Sequence, residues 1–280
     1  MPYVGLATTV ADVAPFHLHL DVIGLMVGLG IAYEYGIRKL APFHAPRGEP
    51  IVTRAQRIRF HSGLAAMLIV SGWPIHDIGE NSLYTIHMVE HLVLSLVGPP
   101  LVLWGTPWWL MRWAVRPILP VLRILTRPFV ALFLFNAVLG LLHAPAVVEL
   151  MVTTTLFHFV AHAALVGTAF LMWWPVVGPI PDIPQLAPFQ RMGYVFLQSL
   201  VPTIPSAFLI LGERAVYPIY ETMPRLWGMS AHTDQMVAGL IMKFGGGLLL
   251  WGVIAGVWFS WWAEEKRFDD ATTPAPTGRL

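Results

Sequence analysis

Seven stretches of this chain, near residues 17–37, 59–76, 83–104, 128–144, 153–175, 192–211 and 235–262, are long and apolar enough, or nearly so, to cross a bilayer. The hydrocarbon is ~30 Å thick, and a helix rises about 1.5 Å per residue. The second is short, ending before Trp73-Pro74, and the fourth lies between Arg127-Pro128 and His143-Ala144-Pro145. Backbone groups cannot be left unpaired against lipid, so apolar runs of this length must be helical. No alternation of period two over successive ten-residue segments supports a barrel. Composition agrees: 12% of residues are charged, against roughly 25% in a soluble domain. Cysteine is absent, which excludes disulfides, thiolate metal sites and thiol catalysis. The reading is an all-α integral membrane bundle of seven transmembrane helices over residues 1–268, with a disordered cytoplasmic tail at 269–280.

Charge sets the expected orientation. The first loop carries Arg38, Lys39, Arg47, Arg54, Arg57 and Arg59, and the third carries Arg112, Arg116, Arg123 and Arg127. The tail adds Lys266, Arg267 and Arg279, whereas the loops at 77–82 and 145–152 have no Lys or Arg. Basic loops stay in the cytoplasm, so the N-terminus is expected outside and the C-terminus inside. No basic residue precedes Arg38, so a cleavable signal peptide is not expected. Basic loops beside spans are explained by topology and anionic lipid, and nothing points to nucleic acid.

On this topology, nine of the eleven histidines fall in the outer half, with only His44 and His61 on the cytoplasmic side. Two pairs stand four residues apart: His87 and His91 in the third span, His158 and His162 in the fifth. Residues at that spacing share a helix face. Both spans run inward from the outer surface, so the pairs lie level and two adjacent helices could close a four-imidazole site. Glu90 lies near the same face, as a ligand or as an acceptor that fixes a tautomer. Ionisable groups inside hydrocarbon are costly and mark function by default. Singly, His17 and His143 read as interfacial residues, and the methionines as ordinary packing.

Imidazole suits zinc, copper, iron and nickel, and thioether favours copper(I). Met223 and Met229 flank the outer end near His232-Thr233-Asp234. A His/Met surface without cysteine favours copper, as Cu(I), with zinc or haem as alternatives. His87, His91, His158, His162 and Glu90 are the expected metal site. His17, His19, His143, His232, Asp234, Met223 and Met229 form the expected outer uptake and hand-over surface.

Several motifs then occur in a fixed order: Tyr84-Thr85-Ile86-His87-Met88-Val89-Glu90-His91-Leu92, Gly98-Pro99-Pro100-Leu101 and Trp104-Gly105-Thr106-Pro107. His143-Ala144-Pro145, Trp173-Trp174-Pro175-Val176-Val177-Gly178 and Thr233-Asp234-Gln235-Met236 come after them. Over about residues 60–260 the chain resembles the CtaG-type cytochrome c oxidase assembly factors, polytopic proteins of the bacterial cytoplasmic membrane. The resemblance implies a non-enzymatic role in oxidase maturation, with oxidase subunits, a periplasmic or extracellular copper chaperone and membrane lipid as partners. It departs at Lys243-Phe244 and the three glycines after them, where the family pattern has an aromatic and then proline; this leaves the local shape of the seventh span open. Two rivals stand beside it. His87-Met88-Val89-Glu90-His91 matches the H-x-x-E-H string of zinc hydrolases, and histidines on facing helices could ligate haem in an electron carrier.

Overall fold

The computed structural model describes residues 9–272. Among them there is no β-strand, and α-helices succeed one another along the chain. A single turn, α1 (Val10–Val13), precedes α2 (Leu20–His44), α3 (Arg54–Val70) and the short α4 (Ile75–Asn81). The next span is built from α5 (Tyr84–Leu92), a π-helical turn (Val93–Val97) and α6 (Gly98–Gly105). Helices α7 (Trp108–Val115), α8 (Leu119–Leu125), α9 (Pro128–Leu142) and α10 (Pro145–Thr153) lead to α11 (Thr155–Val177). Helices α12 (Pro188–Leu200) and α13 (Thr203–Leu211) form one interrupted span, with the break at Pro202. The last span joins α14 (Ala231–Leu240), a second π turn (Ile241–Gly245) and α15 (Gly246–Thr272). The tail assigned to 269–280 lies outside the described residues from 273 onward, and α15 is described through Thr272.

Each of the seven predicted segments overlaps α-helix, with turns at 71–74 in the second and 201–202 in the sixth. Five helical stretches are long and apolar enough to cross a membrane: Leu20–His44, Tyr84–Gly105, Thr155–Val177, Pro188–Leu211 and Ala231–Phe268. The two that fall short are the second and fourth. Helix α3 has 17 residues and opens on the basic Arg54, Arg57 and Arg59, held by a Thr53–Gln56 capping box. Helix α9 has only 15 residues. It is preceded by α7 and α8, which meet it at a bend of 88°. Proline explains the bend, because Pro107, Pro117, Pro120 and Pro128 can each begin a helix but not continue one.

The π turns explain two sequence features. Pro99 and Pro100 carry no N–H, so the carbonyl of Ser95 loses its helical donors. Trp173 replaces them, donating from Nε1 at 2.8 Å. A π turn also inserts an extra residue, which resets the helical register of the residues after it. The histidine face before it and the glycine face after it therefore need not form one stripe. The second π turn lies at Lys243-Phe244, where the sequence departs from the family pattern. Lys243 donates to Thr203 Oγ1 at 2.5 Å, a hydroxyl rather than a carboxylate such as Glu90 or Asp21.

Candidate metal centre

The third and fifth predicted spans touch at their histidines. His91 Nε2 lies 3.0 Å from His162 Nε2. Within each pair the rings are 4.2 Å apart, His87 against His91 and His158 against His162. Between pairs, His87 lies 5.7 Å from His162 and 6.0 Å from His158, centroid to centroid. The four-histidine cluster therefore forms, because i, i+4 spacing turns each pair toward the facing helix.

Two groups of the site escape sequence reasoning, both on α4, which straddles the end of the second predicted span and the loop after it. His76 brings a fifth imidazole, its ring 5.4 Å from His158 and 6.0 Å from His162. Glu80 places Oε1 3.3 Å from His76 Nε2 and 2.7 Å from His158 Nε2. The latter is a close ion-pair contact that ties α4 to α11. The i, i+4 spacing of His76 and Glu80 is the signal that could have found them. Helix α4 can lie this close because residue 79 is glycine: a Cβ there would come within 3.0 Å of His87 N.

Glu90 reaches the imidazoles of His76 and His162. It is 0% exposed, accepts from Ser71 Oγ at 3.0 Å and pairs with His76 Nδ1 at 3.0 Å. Its Oε1 is also 3.8 Å from His162 Nδ1. A carboxylate so placed can orient these imidazoles, one of the two roles expected of it.

Donor geometry fits a metal of zinc or copper size. His87, His91 and His162 offer nitrogens all within 4.8 Å of one another, as do His76, His158 and His162. Three nitrogens about 2.0 Å from a trigonal ion stand about 3.5 Å apart, so each triad needs only modest side-chain movement to close. Beside α4, His17, His19 and Asp77 form a third such group. There His19 Nε2 is 2.9 Å from Asp77 Oδ2, and the His19 ring lies 5.0 Å from His76.

The remaining residues of the expected outer surface go elsewhere. His143 is buried; its Nδ1 bonds Leu139 O at 2.7 Å, and it lines a cavity with His91, Met88 and Met242. His232 binds Gly212 O through Nε2 at 2.8 Å. Met223 and Met229 pack against apolar clusters. Asp234 is wholly buried, accepting from the N–H groups of Tyr84 at 2.8 Å and Thr85 at 2.9 Å. It is an N-terminal cap for α5 supplied by a distant helix, in place of the local cap that Leu83 cannot provide. These five residues are not brought to one surface, because helix packing rather than membrane depth decides their neighbours.

Helix α4 lies outside the long apolar spans, and its charges interact strongly. Burial opposes protonation of His76, but the hydrogen bond and charge of Glu90, with Glu80 and Asp77, raise it to about 9. Burial would raise the Glu80 carboxyl, but His158 and His76 hold it below its ordinary value. Because the folded His76 value exceeds the ordinary 6.5, its stabilisation is complete below that pH and is lost as the pH rises through about 9. The metal-free protein is therefore expected to melt at lower temperature as the pH is raised across this window. A His76→Ala variant should lack that slope; equal slopes in both would contradict the pairing.

Comparison with known proteins agrees with this architecture. No curated protein and no solved structure matches the chain. A family model, cytochrome c oxidase caa3 assembly factor, matches residues 31–264, which takes in α4, α5 and α11 with the five clustered histidines. On that match, and with several helices apolar enough to span a membrane, the chain belongs to the caa3-type cytochrome c oxidase assembly factor family.

Proposed function

We propose that this protein binds copper in the membrane and hands it to the oxidase that its family assembles. One observation carries the reading: the histidines of α4, α5 and α11 converge as two overlapping triads of ligand atoms within 4.8 Å. Imidazole-rich ligation without thiolate holds copper while allowing its release. Seven spans in a bacterial cytoplasmic membrane, with the N-terminus outside, place the cluster toward the outer face, as the distribution of Lys and Arg supports. His17, His19 and Asp77 then form the uptake point, since their donors group beside His76. The partners are oxidase subunits and an outer-side copper chaperone, with lipid around the bundle. The role is non-catalytic.

The rival readings fit the geometry less well. Glu90 is fully buried and engaged by Ser71 and His76, whereas a hydrolytic base needs a water and an open metal position. Pairs four residues apart put two imidazoles on the same side of each helix, which suits a compact ion better than the opposed axial ligands of one porphyrin.

The test is elemental analysis of detergent-purified protein after anaerobic copper(I) loading, for the wild type and a His87→Ala/His91→Ala variant. Bound copper in the wild type that falls by half or more in the variant is expected. No copper in the wild type would sink the reading; zinc or iron in its place would promote the hydrolase or the haem protein.

A further inference from the structure

Five imidazoles and the Glu80 carboxylate are more donors than one ion of this type takes, since four is the usual number. They divide into two sets that share one residue. His87, His91 and His162 make the inner set, and His76, His158 and His162 the outer. The two nitrogens of His162 face different neighbours. Nε2 is 3.0 Å from His91 Nε2. Nδ1 is 3.8 Å from Glu90 Oε1, the oxygen that also lies 3.0 Å from His76 Nδ1.

We infer that the centre holds two metal ions side by side, bridged by the His162 imidazole. The inner ion takes His87, His91 and one nitrogen of His162. The outer ion takes His76, His158, the other nitrogen and a Glu80 oxygen. Glu80 is positioned for this, because its Oε1 already sits between His76 Nε2 and His158 Nε2 at 3.3 and 2.7 Å. His87 Nδ1 of the inner set is buried without a hydrogen-bond partner, and His158 Nε2 of the outer set meets only the Glu80 carboxylate, at 2.7 Å. Unpartnered nitrogens are costly to bury unless something ligates them. To bridge, His162 gives up its remaining ring N–H proton as the second ion binds, and the proton is released.

This inference rests on the copper reading above but fails separately from it. The probe is copper(II) added to the full-length protein in detergent, with bound metal counted and the paramagnetic signal integrated. About two ions per chain are expected. Two copper(II) ions joined by one imidazolate couple antiferromagnetically, so the integrated signal should fall far below the copper content. His162→Ala should weaken both ions, and its remaining copper should give its full signal. Should that variant not fold, His76→Gln/His158→Gln should retain one inner ion with a full, uncoupled signal. One ion per chain in the wild type, or two with full signal, would overturn the bridge and leave the copper reading standing. No copper at all would overturn both.

Discussion

Asp234→Ala is expected to destabilise the folded chain by about 3–5 kcal/mol, the effect of removing one partner from a buried ion pair. The carboxylate is 0% exposed. It pairs with Arg225 Nη2 at 2.8 Å and accepts the N–H groups of Tyr84 and Thr85. Its removal orphans two donors at the start of the helix that carries His87 and His91. It also leaves Arg225 a largely buried cation, though the guanidinium keeps contacts with the carbonyls of Met229 and Ser82. Asp234→Asn should fall between, keeping an acceptor but losing the charge. Thermal unfolding in detergent, followed by tryptophan fluorescence, measures both. A midpoint within a degree of the wild type for Asp234→Ala would refute the clamp, and bound copper in the surviving folded fraction would show whether α5 still aims its histidines.

Gly105→Ala is the second large effect. Helices α3 and α6 approach until a Cβ at residue 105 would lie 2.3 Å from Phe60 N and 2.7 Å from Phe60 Cα. Those atoms are backbone, so no side chain can yield; small residues at such crossings are what permit the approach. Inserting bulk into a packed core costs about 1–3 kcal/mol, and the rigid neighbours place this variant at or above the upper end. The Gly105 carbonyl also accepts from Tyr33 at 2.9 Å, so α2 shifts with the pair. Low folded yield and a depressed melting point are expected. A wild-type melting point would mean that α3 and α6 do not cross this closely.

The family pattern around Trp104-Gly105-Thr106-Pro107 thus has a packing origin. Helical character, the five long apolar spans and the facing of His87 with His91 and of His158 with His162 were legible from the chain itself. These come from local rules: hydrocarbon thickness sets the length of a span, and 3.6 residues per turn sets which side chains share a face. Helices α3 and α9 mark the limit of that reading, since a basic first turn in one and bounding prolines in the other leave them shorter than the five long apolar helices.

Other assignments depended on which helices pack together. Asp234 reads as an outer ligand because it comes two residues after His232, yet it faces the N-terminus of α5, where a carboxylate is most stabilised. His143 has a ligand's chemistry but turns to the carbonyl of Leu139. His76 and Glu80 gave little sequence signal because α4 is too short to show an apolar period. Spacing along a helix determined which imidazoles point the same way. The approach of α4, α5 and α11, permitted by glycine at residue 79 and fixed by Asp234 and Trp173, decided which of them meet: a metal site needs donors within a few ångströms, and residues far apart in the chain reach that distance only through tertiary packing.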